Sequence, residues 1–529
     1  MTAETDLQTF LDTHLAAMRP LAKGAATAHW LAETTGLHEH EAEEARLRTL
    51  LKKLYANREE YALLKRMQDS GEVRDPALKR QLKLLVLSYA GEQLDAATIE
   101  EVVKRETELQ SIYNSYRALL RGERVSDNKL REVLRGSSDV ALRKDAWEAS
   151  KQIGAEVAPK VRELAKVRNR AARSLGFRDH YHMGLELQEL HEPELLALLD
   201  ALERETREPF RREKAALDAS LAAQLGCRVD ELRPWHYGDP FFQEAPKTGD
   251  VDLDGCYAGK DLEALTTKFY DGIGLDVRDI IARSDLYERE KKCQHAFCMH
   301  LDGDGDVRTL CNLKSNERWA GTMLHELGHA VYDKYFDPRA PYLLRGPAHT
   351  LTTEAIAMLM GRLSKNEGFL AEVVGVPRDE AARLGAAARA ELRREQLIFC
   401  RWALVVTRFE RGLFADPDAD HDARWWELVR DIQMVTPPDG RHAPDWAAKI
   451  HIALIPVYYQ NYVLGELTAS QLEAKLSGRF GGIIGRPGAG DWLRERIFTP
   501  GARADWSDTI RAATGEPLSP KHFVAQFVT

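Results

Sequence analysis

A mainly α-helical fold is what this sequence predicts, on three observations. Segments such as EARLRTLLKKLYANREEYALLKRM and EPELLALLDALERETREPFRREKAALDASLAAQL place apolar residues at three-and-four spacing between charges, the pattern of amphipathic helices. Five of the 21 prolines precede residue 230 and sixteen follow it, so the first part of the chain is free to build long uninterrupted helices. Residues 292–314 alternate in character about an Asp-Gly-Asp-Gly turn and read as a β-hairpin.

Composition narrows the class. With 44% hydrophobic and 30% charged residues, the 529-residue chain can bury a sizeable core under a charged surface. No uninterrupted apolar run reaches the ~18 residues of a membrane span, so no membrane partner is expected. A formal charge of -9 and a pI near 6.1 argue against a nucleic-acid partner, which needs a basic face. The start, MTAETDLQTFLDTHLAAMRP, has early acids and no apolar stretch before a cleavage site, so a cytoplasmic protein is expected. Six cysteines without a C-x-x-C pair do not make a disulfide scaffold, and free thiols are expected.

In the first part, Gly122, Gly136, Gly154 and Gly176 interrupt any sustained heptad, which argues against a coiled-coil interaction protein. His38, His40, His180 and His182 fall outside any ligand-like grouping and read as surface or capping residues. LRPWHYGDPFFQEAP, Leu232 to Pro246, is aromatic and proline-broken, hence a packed loop. In the hairpin that follows, pairing residue 301 with 306 sets Cys298 opposite Thr309 and Ala296 opposite Cys311, so no two cysteines face each other. Asp302, Asp304 and Asp306 mimic a calcium loop, but Val307 stands at its glycine position and Leu313 at its terminal glutamate, so calcium is rejected. An open strand edge here could pair with an extended peptide, and a plain structural hairpin is the simpler alternative.

The next two segments carry the chemistry. WAGTMLHELGHAVYDKYFDP puts His325 and His329 four apart, which on a helix stacks two imidazoles on one face, within reach of one zinc ion at about 2.0–2.1 Å. Glu326, between them, can act as a general base beside the metal without ligating it. A catalytic zinc keeps three protein ligands, and Glu354 in HTLTTEAIAMLMGRL is the acidic residue placed to supply the third. Pro338, Pro341 and Pro347 end the first helix, and Thr350, Thr352 and Thr353 offer N-caps for the second. One zinc per chain is expected.

After Leu363 the chain is helical through EAARLGAAARAELRREQLIFCRWALVVTRFERGLF and breaks at Pro437-Pro438-Asp439-Gly440. WAAKIHIALIPVYYQNYVLGEL then places Lys449, His451, Tyr458, Tyr459 and Tyr462 within fourteen residues. Packing explains some of these aromatics, but beside a zinc site a His and a Tyr hydroxyl are the donors that stabilise a developing oxyanion. GRFGGIIGRPGAGDW, Gly478 to Trp492, lacks the lysine of a phosphate loop and reads as a solvent loop capped by Asp491.

At these residues the chain resembles the angiotensin-converting-enzyme-like family of zinc peptidases, especially its soluble bacterial branch. AHWLAETTG, LRPWHYGDPFFQ, HELGH with TTEAIAML, and KIH with YYQNY fall in that family's order over most of the chain. The resemblance implies a two-lobed helical fold around a deep channel, zinc on the channel floor, and removal of short units, often dipeptides, from peptide C-termini. It implies His325, His329 and Glu354 as metal ligands and Glu326 as the base. It further implies His295 and Ala296 as contacts to the substrate backbone, Lys449 and Tyr459 as holders of its carboxylate, and His451 and Tyr462 as oxyanion donors. The chain departs from the animal members in four ways. The tyrosine pair lies one residue further from His451, which makes Tyr458 a candidate as well. Gln460 and Asn461 stand where those enzymes place a chloride-binding arginine, Met358 stands where an aspartate supports a zinc histidine, and the glutamine that helps hold the carboxylate has no match.

A single catalytic domain over residues 1–529 is therefore expected, with 1–230 mostly the long helices of one lobe and 231–529 carrying the zinc site, the edge hairpin and the remaining helices. The expected activity is hydrolysis of short peptides near the C-terminus. The alternative among enzymes is an oligoendopeptidase like the thimet oligopeptidase relatives, which cut internally. A non-catalytic zinc and peptide-binding protein is the rival from another class, and Glu326 argues against it, since a binding module has no use for an acid beside the metal.

Overall fold

In the computed structural model, which describes residues 2–246 and 252–528, helices dominate as expected, and the strands among the described residues form two small antiparallel hairpins. One hairpin, Phe297–His300 with Val307–Leu310, is the expected one, and Cys298 pairs with Thr309 in the expected register. The other, Ala118–Leu120 with Glu123–Val125, turns at Arg121 and Gly122, both left-handed, in a stretch too short to show alternation. All six cysteines are free. Among the described residues no helix is long and apolar enough to cross a membrane.

The early helices are long but not free of proline. Ala3–Thr35, Val140–Ser174 and Glu192–Leu225 carry Pro20, Pro159 and Pro209 in their interiors. Three of the five early prolines thus sit in helix interiors, because a buried apolar face over more than thirty residues outweighs one lost ladder bond of about 3 kcal/mol. Gly154 likewise does not end its helix. A Cβ there would lie 2.3 Å from the Pro444 carbonyl oxygen, so this glycine lets the chain at 444–448 approach the helix backbone.

Two compact units are formed, each from three stretches of sequence: residues 1–93, 251–389 and 464–522 in the first, and residues 94–250, 390–463 and 523–529 in the second. The core of the first includes Leu324, Leu327, Tyr332, Leu359, Met360, Phe369 and Phe498. That of the second buries Trp147, Phe210, Trp402 and Trp446 completely. The glycine-rich run belongs to the first unit: residues 481–486 form the expected loop, partly exposed, but the expected cap is corrected. Asp491 lies inside the helix Pro487–Leu493 and pairs with Arg494 rather than capping anything. Gly490 is buried with Ile273 so close that a Cβ would fall 1.9 Å from its carbonyl oxygen, so this glycine serves a helix-to-backbone contact.

The helix Glu317–Lys334, which carries HELGH, and the helix Thr350–Gly361, which carries Glu354, pack closely because their contact face is stripped of side chains. A Cβ on Gly328 would meet the Ala357 backbone at 2.8 Å, and one on Gly361 would meet His325 Cβ at 3.2 Å. Gly328→Ala is expected to push the two helices apart, lowering stability by about 1–3 kcal/mol as overpacking does. A denaturant midpoint unchanged from wild type would contradict this close packing.

Candidate active site

The motif helix starts at Asn316, whose side-chain oxygen accepts from the Trp319 N–H at 2.9 Å, with Glu317 in its first turn and Lys334 in its last, both favourable to the helix dipole. Met323, Leu324, Leu327, Ala330 and Val331 bury one face completely. His325 and His329 project from the other, with ring centroids 4.9 Å apart and planes at 85°. Glu354 Oε2 lies 3.9 Å from Nε2 of each histidine, and one donor atom from each of the three residues lies within 4.8 Å of the others. Two atoms each about 2.0–2.1 Å from one zinc ion can be at most about 4.2 Å apart, so the histidine-to-glutamate spacings admit an ion between them. Burial pulls His325 down to about 4 and, with His325 beside it, His329 to about 3, so both imidazoles are neutral and ready to ligate. Two neutral imidazoles and one carboxylate suit zinc, whereas calcium and magnesium want oxygen donors throughout.

The second helix is capped differently from the expectation. The N-cap is His349, whose Nδ1 accepts from the Leu351 N–H at 2.9 Å while Thr352 Oγ1 faces the His349 backbone. Thr353 is thereby free to meet the metal-binding face, and its hydroxyl lies 2.7 Å from His329 Nδ1, on the ring edge opposite the donor atom. His325 is hydrogen-bonded to the Ala357 backbone. These two contacts orient the histidines without the aspartate that Met358 replaces. Thr353→Val, which keeps shape and removes the hydroxyl, is expected to weaken metal affinity about 10- to 100-fold in a chelator competition. Unaltered affinity would mean that His329 needs no such support.

Glu326 is buried, and burial together with Glu354 pushes its carboxyl up to about 8. A dication held by the three ligands would oppose that shift and favour the carboxylate. Glu326 also faces the hairpin: after burial, its charge is among the causes that raise the Cys298 and Cys311 thiols. The hairpin has one open edge. The Leu301 N–H donates to the Asp306 carbonyl at 2.8 Å, so the alternation of an antiparallel ladder turns the peptide groups of Cys298 and His300, and next in line Ala296, away from the partner strand. The far edge is taken, since the Asp285 N–H donates to the Thr309 carbonyl and the Cys311 N–H to the Asp285 carbonyl. His295 is exposed and Ala296 half-buried at the start of the open strand.

The remaining candidates lie in the second unit. Lys449 is buried, not a solvated surface lysine, and its Nζ donates to Gln243 Oε1 at 2.7 Å. It also stands over the rings of Trp402 at 5.4 Å and Tyr459 at 5.6 Å. The His451 ring is 5.3 Å from that of Tyr459, and burial, with Lys449 next, pulls it down to about 4. Tyr459 and Tyr462 open the helix Tyr459–Phe480, with centroids 5.6 Å apart, and Tyr458 stacks edge-on against Tyr462 at 5.2 Å. Burial raises the Tyr459 phenol, so it stays a donor throughout the neutral range.

A peptidase family model described as angiotensin-converting enzyme matches residues 1–212. The thermostable carboxypeptidase 1 of Thermus thermophilus is 26% identical over 257 residues, covering 42% of this chain and 49% of the relative. Over residues 1–212 the chain is thus similar to the angiotensin-converting-enzyme family. It spans about half the length of the curated relative it matches. The family match ends before the motif helix, so the metal geometry rests on His325, His329 and Glu354 themselves. Two partners of the candidate residues are not marked by the sequence, Thr353 in the first unit and Gln243 in the second. Thr353 was visible only as a cap candidate, and the one signal for its role is its place directly before Glu354. Gln243 sits in the aromatic loop 206 residues before Lys449, where no periodicity marks it.

Proposed function

We propose that this chain is a zinc-dependent peptidase that hydrolyses short peptides and releases dipeptides or other short units from a free C-terminus. The observation that carries this reading is the donor triangle of His325, His329 and Glu354 with Glu326 buried beside it and facing an open strand edge. The likeness to a protein named a carboxypeptidase supports cleavage from the C-terminal end.

Zinc held by the three ligands would supply a Lewis acid and a water of lowered pKa. Glu326 takes the proton of the attacking water and later delivers it to the leaving amine. The outward peptide groups at Ala296 and Cys298 hold an extended substrate strand by backbone bonds, with His295 beside them. His451 and Tyr462 donate to the oxyanion as it forms. Lys449 and Tyr459 hold the terminal carboxylate, and Gln243, bonded to Lys449, takes the place of the glutamine absent from the sequence motif.

Mass spectrometry of the products from a mixed peptide library tests the reading: short C-terminal units support it, and cuts scattered along the peptides would replace it with internal cleavage. Lys449 adds a pH signature. Burial pulls its ammonium down to about 8, so the charge that attracts a carboxylate is present below that pH and lost above it. KM for a free-acid peptide is expected to rise as pH passes about 8, while KM for the corresponding amide stays flat. Lys449→Met should erase the difference, about tenfold or more for a charge-assisted bond. Identical profiles for acid and amide in the wild type would remove Lys449 as the anchor.

A further inference from the structure

Val457 has φ +58°, and among the described residues it is the only β-branched residue in the left-handed region. A branched side chain avoids that region, and such outliers persist only where the surroundings over-determine them. Here the surroundings do so from several sides within the second unit. The Val457 carbonyl accepts from Gln188 Nε2 at 3.0 Å and from Gln460 Nε2 at 2.7 Å. Gln188 Nε2 also donates to the Gly184 carbonyl at 2.7 Å, and its Oε1 accepts from Asn461 Nδ2 at 2.8 Å. Gly184 makes the seat: a Cβ on it would stand 3.1 Å from the Val457 side chain. The Val457 amide is directed at the fully buried Glu410 carboxyl, short of full hydrogen-bond geometry.

Two of the clamp residues lie between the tyrosines. Gln460 follows Tyr459, and Asn461 precedes Tyr462; both amides are fully buried while the tyrosine rings, three apart, share the other face. A left-handed residue turns the chain sharply in a single step, and Val457 stands two residues before Tyr459. We propose that Val457, held left-handed by the Gln188 and Gln460 amides, is a positioning residue that sets the first turn of the helix Tyr459–Phe480 and so the aim of Tyr459 and Tyr462. The effect on turnover rests on the proposed function, in which these tyrosines meet substrate; the clamp itself does not.

The test is a double-mutant cycle on the whole chain, read by hydrogen exchange over residues 458–464 and by kcat. Gln188→Leu is expected to speed exchange there about tenfold, whereas in a Val457→Gly background, where the left-handed turn needs no clamp, the same change should matter less than about threefold. With a peptide that the wild type cleaves, kcat should fall about tenfold in Gln188→Leu as Tyr462 is misaimed, KM should rise as Tyr459 is, and both should recover in the double variant. If Gln188→Leu does not fold, Gln188→Glu serves, since it keeps the acceptor for Asn461 and loses the donors to Val457. Unchanged exchange, or losses that simply multiply across the cycle, would overturn the clamp. Exchange that follows the expected pattern while kcat stays constant would overturn the positioning role. The expected exchange pattern in a protein that cleaves no peptide would support the clamp and reject the peptidase reading instead.

Discussion

Glu326→Gln is expected to lower kcat by about 10²- to 10⁴-fold while zinc content and peptide KM stay close to wild type. The glutamine keeps the shape of the side chain and its place between His325 and the hairpin, but it cannot accept a proton. Glu326 is not one of the three clustered donors, so metal affinity has no reason to fall. Its burial beside Glu354 makes an uncharged side chain easy to accommodate, so folding should be unharmed or slightly improved. Turnover within a few-fold of wild type would mean that another base operates.

His325→Ala and Glu354→Ala are each expected to reduce bound zinc from one ion per chain to a trace, and activity with it. Two donors remain in each variant, fewer than the three that catalytic zinc sites keep. A second readout does not depend on catalysis. A metal that binds only the folded chain stabilises it by RT ln(1 + [L]/Kd), so a chelator should lower the wild-type Tm and leave that of His325→Ala unmoved. Unaltered zinc stoichiometry in both variants would refute the ligand assignment.

Local pattern made much of this molecule legible. The four-residue spacing of His325 and His329 has one meaning once the segment is helical, because helical geometry puts both imidazoles on one face. The hairpin register followed from its tight turn, since a two-residue period leaves no freedom once one pair is set, and Cys298 indeed lies opposite Thr309. Glu354 was legible for a weaker reason: it is the acidic residue near the start of the next helix. Its cap was not, because His349 and three threonines compete for the same N–H groups, and only the packing of the two helices assigns Thr353 to His329.

The sequence by itself determined the helical class, the face that carries His325 and His329, and the hairpin. Each of these depends on residues near one another in the chain, where covalent geometry sets the outcome. The tertiary structure alone decided that Gln243 meets Lys449, that the open edge of the hairpin is the Phe297–His300 strand because Asp285 covers the other, and that the left-handed Val457 accepts from the Gln188 and Gln460 amides. It also decided where glycine serves close approach instead of a break, as at Gly154, Gly328 and Gly490. These contacts join stretches far apart in the chain, and which of them meet is set by the closing of whole cores, for which no local period or spacing holds a record.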